Sequence, residues 1–387
     1  MLAAIVGGRL QGAELACLAH HAGWRTLLVD RKHHVPARRL CDRFLQVDVT
    51  QASALDHALN AVDIVVPALE DRAALDSLVG WCRDRHVPVA FDPAAYAVSS
   101  SKIDSNRLFA SLGIPAPEPW PQCGFPVVAK PSRVSGSRGV VVLNGQTDAE
   151  KRFPHGFPDD GWVFQQYLEG PAFSLELIGR PGNYLPIQVT QLFMDAAHDC
   201  KAVAAPCQLA DRQIREIEAL SVEIADAIRL TGLMDVEVIL HQGRFKVLEV
   251  DARFPSQTPL CVYASTGCNL FDVLADLFLS GTLPPLVASE FARGAILEHI
   301  RVTNRAIFVE GEHIMAGAGP LERVPGFFGA DEAITSYREG ASVWVATLIV
   351  TAASRALAVE KRNRVILAIQ RRFNLETVVD RGQEYTA

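Results

Sequence analysis

The stretch Met234–Thr258, MDVEVILHQGRFKVLEVDARFPSQT, largely decides the fold and site that the sequence predicts. Apolar residues alternate with acids up to a polar turn and again after it, which predicts a β-hairpin. If the loop is Gln242–Arg244, Glu237 lies directly opposite Glu249, and Asp251 shares the face of Glu249. Like charges in this arrangement are destabilising without a cation between them, so the stretch predicts a metal site. A solvated acidic face is the alternative, and a register shift of one residue would separate the acids.

Composition indicates a globular protein that acts on a small molecule. The chain has 387 residues, 49% of them hydrophobic, which suggests two or three domains. Its net charge is −7 and it has no long basic run, so we expect no nucleic-acid partner. The N-terminus lacks the pattern of a signal peptide and no apolar run is long enough for a membrane span, so we expect no membrane association and a cytoplasmic location. The eight cysteines form no C-x-x-C pair, which predicts reduced thiols.

The first 95 residues alternate strand and helix patterns, including a predicted strand at Val87–Phe91, and this predicts a doubly wound parallel sheet. A glycine-rich turn, Gly7–Gly12, follows the first strand, and Asp30 ends the second. Dinucleotide binding is disfavoured because Arg9 occupies the position where a glycine would let the backbone approach a pyrophosphate. The same sheet edge can still line a substrate pocket, for which the candidates are Leu10, Gln11, Glu70 and Asp71.

Two lysines and a glycine-serine loop predict a phosphate site. Lys102 lies in the first turn of a helix predicted over Ser100–Leu112, where it is either solvated or paired with an anion. Lys130 ends an apolar strand, and the loop Ser135–Val140 follows it. A point charge beside exposed backbone N–H groups suits phosphate, although a mobile surface hairpin is the alternative. The next strand, Val163–Leu168, has edge groups suited to a planar base.

These parts, in this order, resemble the ATP-grasp carboxylate–amine ligases over residues 1 to about 290. The segments GGRLQGAE, DRKHHVPARRLCDRF and KVLEVDARFPSQTP are similar to the ligase family of pyrrolysine biosynthesis. The resemblance implies a mixed α/β and α+β fold. Its parts would be a Rossmann-like pre-ATP-grasp domain (1–95), an ATP-grasp domain (96–290) with a flap-bearing lid subdomain (about 120–170), and a small C-terminal domain (291–387).

The resemblance also implies a reaction. Members of that family use ATP to activate the carboxylate of 3-methyl-D-ornithine as an acyl phosphate, which the ε-amine of L-lysine attacks. The implied cofactors are ATP and two Mg²⁺ ions. The implied magnesium ligands are Glu237, Glu249 and Asp251. The implied ATP-binding residues are Lys102, Lys130, Ser135, Gly136, Ser137, Arg138, Gly139, Val140, Gln165, Gln166, Tyr167, Leu168 and Glu169.

The catalytic set that we expect combines Arg253, matching the arginine that stabilises the acyl phosphate, with Lys130 and Glu176. Glu176 and Asp235 are candidates to accept the proton of the attacking amine. The expected substrate-contacting residues are Leu10, Gln11, Glu70, Asp71, Ser174, Glu176, Asp235, Arg253, Ser256, Gln257 and Thr258.

Two positions depart from the family pattern. Ala172 stands where a glutamate commonly binds ribose, so Glu169, Ser174 or Glu176 would have to replace that contact. Asp251 stands where asparagine is usual, and its extra charge favours divalent binding. The alternative functions are a ligase for another amino-acid pair of the D-alanine-ligase type, a nucleotide-binding regulatory protein, and an NAD-dependent oxidoreductase.

Overall fold

A computed structural model describes residues 1–283, 292–383 and 385. The N-terminal part is a four-stranded parallel sheet in the order β3-β2-β1-β4, which confirms the predicted doubly wound arrangement. The segment predicted as a strand at Val87–Phe91 contributes only an isolated bridge between Val89 and Val65. The elements are β1 (Leu2–Val6), α1 (Leu10–His21), β2 (Arg25–Asp30), β3 (Arg43–Gln46), α2 (Ala52–Ala58), β4 (Ile64–Pro67) and α3 (Arg72–Arg85).

Two helices and a small antiparallel sheet follow. The predicted lysine-bearing helix is confirmed, with Ser101 as its N-cap and Gly113 in the left-handed conformation (φ 69°) as its C-cap. The small sheet, in the order β6-β5-β7, lies within the expected lid range and packs an aromatic cluster against its helix. The elements are α4 (Pro93–Ser99), α5 (Lys102–Leu112), β5 (Val127–Pro131), β6 (Val141–Leu143), α6 (Gln146–Arg152) and β7 (Trp162–Gln166).

The remaining strands form one large sheet, with the order β12-β11-β8-β9-β10-β13-β17-β16-β15. Strand β14 pairs with β13, and β18 pairs with β14. The first elements of this part of the chain are β8 (Ala172–Arg180), β9 (Asn183–Met194), β10 (Cys200–Ala205), α7 (Asp211–Ala227), β11 (Gly232–His241), β12 (Arg244–Asp251), α8 (Thr258–Thr266) and α9 (Leu270–Ser280). The later ones are β13 (Gly294–Val302), β14 (Ala306–Val309), α10 (His313–Ala316), β15 (Glu322–Pro325), β16 (Glu332–Thr335), β17 (Trp344–Ala352), α11 (Arg355–Phe373) and β18 (Thr377–Asp380).

The C-terminal segment continues the central sheet, because β13 pairs antiparallel with β10, placing Ala202 opposite Glu298. The predicted boundary between residues 290 and 291 lies outside the described residues, so the division into domains stays a prediction.

The acidic hairpin has the predicted Glu237–Glu249 pairing, but its turn differs from the predicted one. Its loop has two residues, Gln242 and Gly243, both with positive φ (49° and 78°), not the three that we expected. A β-bulge between the Val238–Val247 and Glu237–Glu249 pairs then inserts Leu248. The extra residue offsets the shorter turn, so Glu237 still lies directly opposite Glu249.

The N-terminal part packs against the helices that follow the hairpin. Trp24 meets Phe271 of α9 edge-on, with 5.3 Å between ring centroids. Glu14 of α1 accepts a hydrogen bond from the backbone N–H of Gln257. All eight cysteines are described and are free thiols. Among the described helices, none alone has the length and apolar composition of a membrane span; α8 and α9 reach them only together, across a 100° bend.

Candidate active site

Two cavities meet on the face of the hairpin. The larger, about 680 Å³, lies between the lid and the acidic face of the central sheet. The smaller, about 540 Å³, lies between the glycine-rich turn of the N-terminal part and the loop Ser135–Val140, hereafter the flap. Both volumes are typical of small-molecule sites. The residues that line both cavities are Ser135, Gly136, Asp199, Arg253, Ser256 and Glu312.

The hairpin places four carboxylates on one face. Asp235 pairs with Asp251 and Glu237 with Glu249, and all four line the larger cavity. Burial, with repulsion from Glu249, raises the pKa of Glu237 to about 7. Burial also raises the pKa of Asp251 to about 7, although the neighbouring guanidinium of Arg253 opposes the shift. The pKa values of both carboxyls stay raised despite the neighbouring cations, and a cluster of carboxylates of this kind is suited to a divalent cation.

The magnesium ligand set fits these residues in part. Asp251 Oδ1 is buried and has no hydrogen-bond partner, as expected of a metal ligand. Glu249 instead pairs with Lys102, and among the described residues no three acids are gathered as a closed metal shell. The chemistry of the donors suits Mg²⁺, since carboxylate oxygens are its usual protein ligands.

The two predicted phosphate-binding lysines lie on the same side of the larger cavity. Lys102 Nζ is 2.7 Å from Glu249 Oε1 and 3.0 Å from the carbonyl oxygen of Val134, which leads into the flap. Lys130 Nζ donates to the carbonyl oxygen of Leu248 at 3.3 Å. Burial lowers the pKa of Lys130, and Glu249 opposes that shift. Both lysines therefore lie beside the carboxylates expected to hold Mg²⁺. In this arrangement the lysines and the metal would contact the same anionic ligand.

Arg253 connects the cavities. Its guanidinium contacts Glu70 at 2.7 Å and Asp251 at 2.6 Å, while its Nε is buried and has no partner. Burial lowers the pKa of Arg253, but Asp251 and Glu70 outweigh burial and raise it, so the residue is a fixed cation. A fixed cation with a free donor suits an anion that forms where the cavities meet.

The predicted adenine strand forms one wall of the larger cavity. Asn106 Nδ2 donates a hydrogen bond to Gln165 Oε1 (3.3 Å), and Lys246 Nζ donates one to Gln166 Oε1 (2.9 Å). Ala172 lines this wall as well, without a carboxylate. Apolar walls for a flat ring are supplied by Val128, Val142, Tyr167, Leu168, Leu192, Met194, Ile239 and Leu248.

Most of the predicted site residues line one of the two cavities. Those along the larger are Lys102, Lys130, Ser135, Gly136, Ser137, Val140, Gln165, Gln166, Tyr167, Leu168, Glu169, Asp235, Glu237, Glu249, Asp251, Arg253, Ser256, Gln257 and Thr258. Leu10, Gln11, Glu70, Asp71 and Arg138 line the smaller.

Three predicted residues line neither cavity. Ser174 and Glu176 lie on β8, opposite Glu237 and Asp235, and are 1% and 0% exposed. Residues directly opposite each other on neighbouring strands have their side chains on the same face of the sheet, so Ser174 and Glu176 lie beside Glu237 and Asp235 on the acidic face. Both are buried there, and their predicted contacts with ligands have no support in the lining of the two cavities. Gly139 shapes the flap instead: its φ is 80°, and a Cβ built on it would lie 3.0 Å from Cγ of Pro131.

Several cavity residues lie far along the chain from any motif. Glu312 precedes α10, Asp199 precedes β10, and Gln383 follows β18. Glu312 Oε2 accepts hydrogen bonds from Ser256 Oγ (2.8 Å) and Gln257 Nε2 (3.0 Å). Nothing in the local sequence distinguishes these residues, because only the sheet pairing brings them to the site.

The geometry of the N-terminal turn disfavours dinucleotide binding. Asp30 Oδ2 accepts from the N–H of Gly8 and its Oδ1 from the N–H of Lys32, each at 2.7 Å. Both oxygens are thus used to hold the turn. A Cβ on Gly12 would lie 2.0 Å from the carbonyl oxygen of Gly7, so that glycine is required for helix packing.

The described architecture is that of an ATP-grasp enzyme, and comparisons with known proteins agree. The ATP-grasp domain model matches residues 99–257. The structure is similar to N5-carboxyaminoimidazole ribonucleotide synthetase in complex with ADP, with a TM-score of 0.71, 14% identity, and coverage of 96% of this chain and 97% of that one. It is also similar to biotin carboxylase from Campylobacter jejuni (TM-score 0.68, 15% identity, 93% and 89% covered).

Sequence similarity narrows the class. The 3-methyl-D-ornithine–L-lysine ligase of Methanosarcina mazei is 32% identical over 81% of this chain and 81% of its own length, and that of Methanosarcina barkeri is 33% identical over 81% and 83%. D-alanine–D-alanine ligase of Pseudomonas putida is 27% identical over 41% of this chain. The chain belongs to the ATP-grasp carboxylate–amine ligases, in the family of the two Methanosarcina ligases.

Proposed function

We propose that the protein forms an amide between the carboxylate of 3-methyl-D-ornithine and the ε-amine of L-lysine, with ATP converted to ADP and phosphate, as a step of pyrrolysine biosynthesis. The main support is the similarity to the Methanosarcina ligases along four fifths of both chains. The two cavities that meet at Arg253 add a physical reason, since the reaction needs ATP and amino acids side by side.

In the first step, a carboxylate oxygen of the ornithine attacks the γ-phosphorus of ATP and ADP leaves. We assign the phosphates to Lys102, Lys130 and the flap. Catalysis of such a step rests on positioning and on charge neutralisation. Mg²⁺ held by Glu237, Glu249 and Asp251 would neutralise phosphate charge, and we propose two ions.

In the second step, the lysine nitrogen attacks the carbonyl carbon of the acyl phosphate, and the tetrahedral intermediate collapses with loss of phosphate. We assign stabilisation of both anionic species to Arg253, whose Nε has no partner among the described residues. The smaller cavity, lined by Glu70 and Asp71, would take an amino acid with cationic groups. The cytoplasmic location stays a prediction.

The test is ADP release with Mg²⁺, ATP, L-lysine and D-ornithine, which stands in for its 3-methyl derivative. Fragmentation of the product by mass spectrometry should show the amide on the ε-nitrogen of lysine. An α-linked product, or comparable turnover with a D-alanine pair, would favour the ligase for another amino-acid pair. Binding of ATP without ADP release for any pair would favour a regulatory protein.

A further inference from the structure

A glutamate outside every sequence motif occupies the junction of the two cavities. The backbone N–H of Glu312 donates to the carbonyl oxygen of Cys200 at 3.1 Å, which ties it to the central sheet. Its side chain is held by Ser256 and Gln257, which directly follow the hairpin. The flap covers it, since a Cβ built on Gly136 would lie 3.7 Å from Glu312 Oε1. Glu312 is therefore fixed where the flap, the hairpin end and the C-terminal segment converge.

Two acceptor oxygens at the junction receive no hydrogen bond from the described residues. Gln257 is 6% exposed and lines the larger cavity, and within the described part of the chain its Oε1 has no hydrogen-bond partner. Glu312 Oε1 faces the flap without a hydrogen bond among the described residues. A ligand with several N–H donors, such as an ammonium group, would satisfy both oxygens at once.

The acids that the sequence suggested as proton acceptors are less suitable. Glu176 lines neither cavity. Asp235 lies opposite Asp251 within the acidic face. That face is the one that we assign to Mg²⁺, so Asp235 lies among the proposed metal ligands. Two acids away from that face line both cavities, Asp199 and Glu312. Asp199 is already paired with His313 at 2.6 Å, whereas Glu312 Oε1 faces the flap.

We propose that Glu312 binds the ε-ammonium group of the lysine substrate at this junction and accepts one of its protons. The inference rests on the proposed function. The freed nitrogen lone pair attacks the carbonyl carbon of the acyl phosphate, the bond from that carbon to the phosphate oxygen breaks, and phosphate leaves with the electron pair. The second proton of the former ammonium goes to the departing phosphate, and Glu312 returns its proton to solvent.

The charges around Glu312 are compatible with this role. Burial raises its pKa, hydrogen bonds from Ser256 and Gln257 oppose the shift, Asp199 adds to it, and Arg253 opposes it. Glu14 faces it from α1, and His313 beside it pairs with Asp199 at 2.6 Å. The active form is the carboxylate, so lysine-dependent turnover should fall as the pH falls through the raised pKa.

The experiment compares Glu312→Gln with wild type under two nucleophiles. With ATP, Mg²⁺ and D-ornithine, hydroxylamine traps the acyl phosphate as a hydroxamate and, being largely neutral at pH 7, needs no proton acceptor. We expect Glu312→Gln to form hydroxamate at the wild-type rate. Its rate of product formation with lysine should fall about a hundredfold or more. Its residual activity with lysine should rise about tenfold per pH unit as the free amine increases.

Each outcome separates the hypotheses. Equal loss of hydroxamate and peptide product in Glu312→Gln, or loss of neither, would overturn the assignment of Glu312. Absence of hydroxamate with the wild-type protein would refute the proposed acyl-phosphate reaction itself. Glu310→Gln is the matched control, because Glu310 pairs with Arg301 at 2.6 Å, lines neither cavity, and should leave both reactions unchanged.

Discussion

Lys102 and Glu249 form an ion pair, with 2.7 Å between Nζ and Oε1, in which the side chain of Lys102 is 9% exposed. The pair joins the side of the site expected to hold phosphate to the side expected to hold metal. In the free protein, each charge therefore compensates the other. Binding of Mg²⁺ and ATP would replace this contact with metal–carboxylate and lysine–phosphate contacts.

Replacement of Glu249 should abolish turnover and preserve the fold. The carboxylate is partly exposed at the cavity, so Glu249→Ala leaves no buried gap. We expect ADP release to fall about a thousandfold, comparable with removal of a group that stabilises developing charge, while the circular dichroism spectrum stays that of wild type. The exposed Glu360 of α11 is a matched control, and Glu360→Ala should keep full activity. Normal turnover by Glu249→Ala would contradict the metal assignment.

ATP and Mg²⁺ should bind with positive coupling. ATP alone brings negative charge towards four carboxylates, and Mg²⁺ alone competes with Lys102 for Glu249. Bound Mg²⁺ reduces the repulsion between the phosphates and the carboxylates, and bound ATP takes Lys102 away from Glu249. Each ligand therefore favours binding of the other. In thermal-shift measurements, the two together should raise the melting temperature by more than the sum of the separate shifts. Saturation at a hundredfold excess over Kd adds about 2.7 kcal/mol of stability. An equal shift by ATP in EDTA would argue against this coupling.

Gln383 should replace the missing ribose contact at Ala172. Both residues line the larger cavity, and the side-chain amide of Gln383 bonds the carbonyl oxygen of Gly170 (3.4 Å) and the N–H of Met194 (3.2 Å). We expect Gln383→Ala to raise KM for ATP several-fold, about the loss of one hydrogen bond, with kcat unchanged.

The nucleotide analogue 2′-deoxy-ATP lacks one ribose hydroxyl. Comparing it with ATP distinguishes the loss of a ribose contact from a general disturbance of the cavity wall. Wild type should prefer ATP over the deoxy analogue, and Gln383→Ala should lose that preference. Gln370→Ala is the control, because Gln370 bonds Leu375 in the same C-terminal region and lines neither cavity. Retention of the preference in Gln383→Ala would refute the contact.

Stability should depend on pH through Glu14. Burial raises the pKa of Glu14 to about 8, against an opposing hydrogen bond from the N–H of Gln257. The native protein keeps this proton while the unfolded chain loses it above the ordinary glutamate pKa of 4.5. The stabilisation is therefore complete below that pH and is lost as the pH rises towards 8. The slope is at most about 1.4 kcal/mol per pH unit.

The variant Glu14→Gln keeps the acceptor for Gln257 and removes the titration. Its free energy of unfolding, measured in urea between pH 5 and 8, should fall less steeply than that of wild type. Parallel curves for the two proteins would show that Glu14 titrates normally in the native state. Glu360→Gln, at an exposed position, should follow wild type.

Local patterns determined much of this protein by themselves. The alternation of apolar and acidic residues determined the hairpin, Ser101 and Gly113 determined the limits of α5, and the order of motifs indicated the ATP-grasp class. These features depend on interactions between residues near in sequence, such as caps, turns and strand periodicity. The Glu237–Glu249 pairing was predicted with a three-residue loop, but it arises from a two-residue turn and a bulge, because backbone bulges leave no distinct residue pattern.

Only the tertiary structure decided which distant residues share the site. Alternation along β8 could not show that Ser174 and Glu176, beside Glu237 and Asp235 on the acidic face, are buried and line neither cavity, since their burial depends on what packs over that part of the sheet. Glu312 and Gln383 reach the cavities because β13, β14 and β18 extend the central sheet and return the chain to the hairpin. The sequence alone therefore predicted the residues for ATP and metal binding. Long-range strand pairing, which no local pattern encodes, decided which residues meet at the junction of the two cavities.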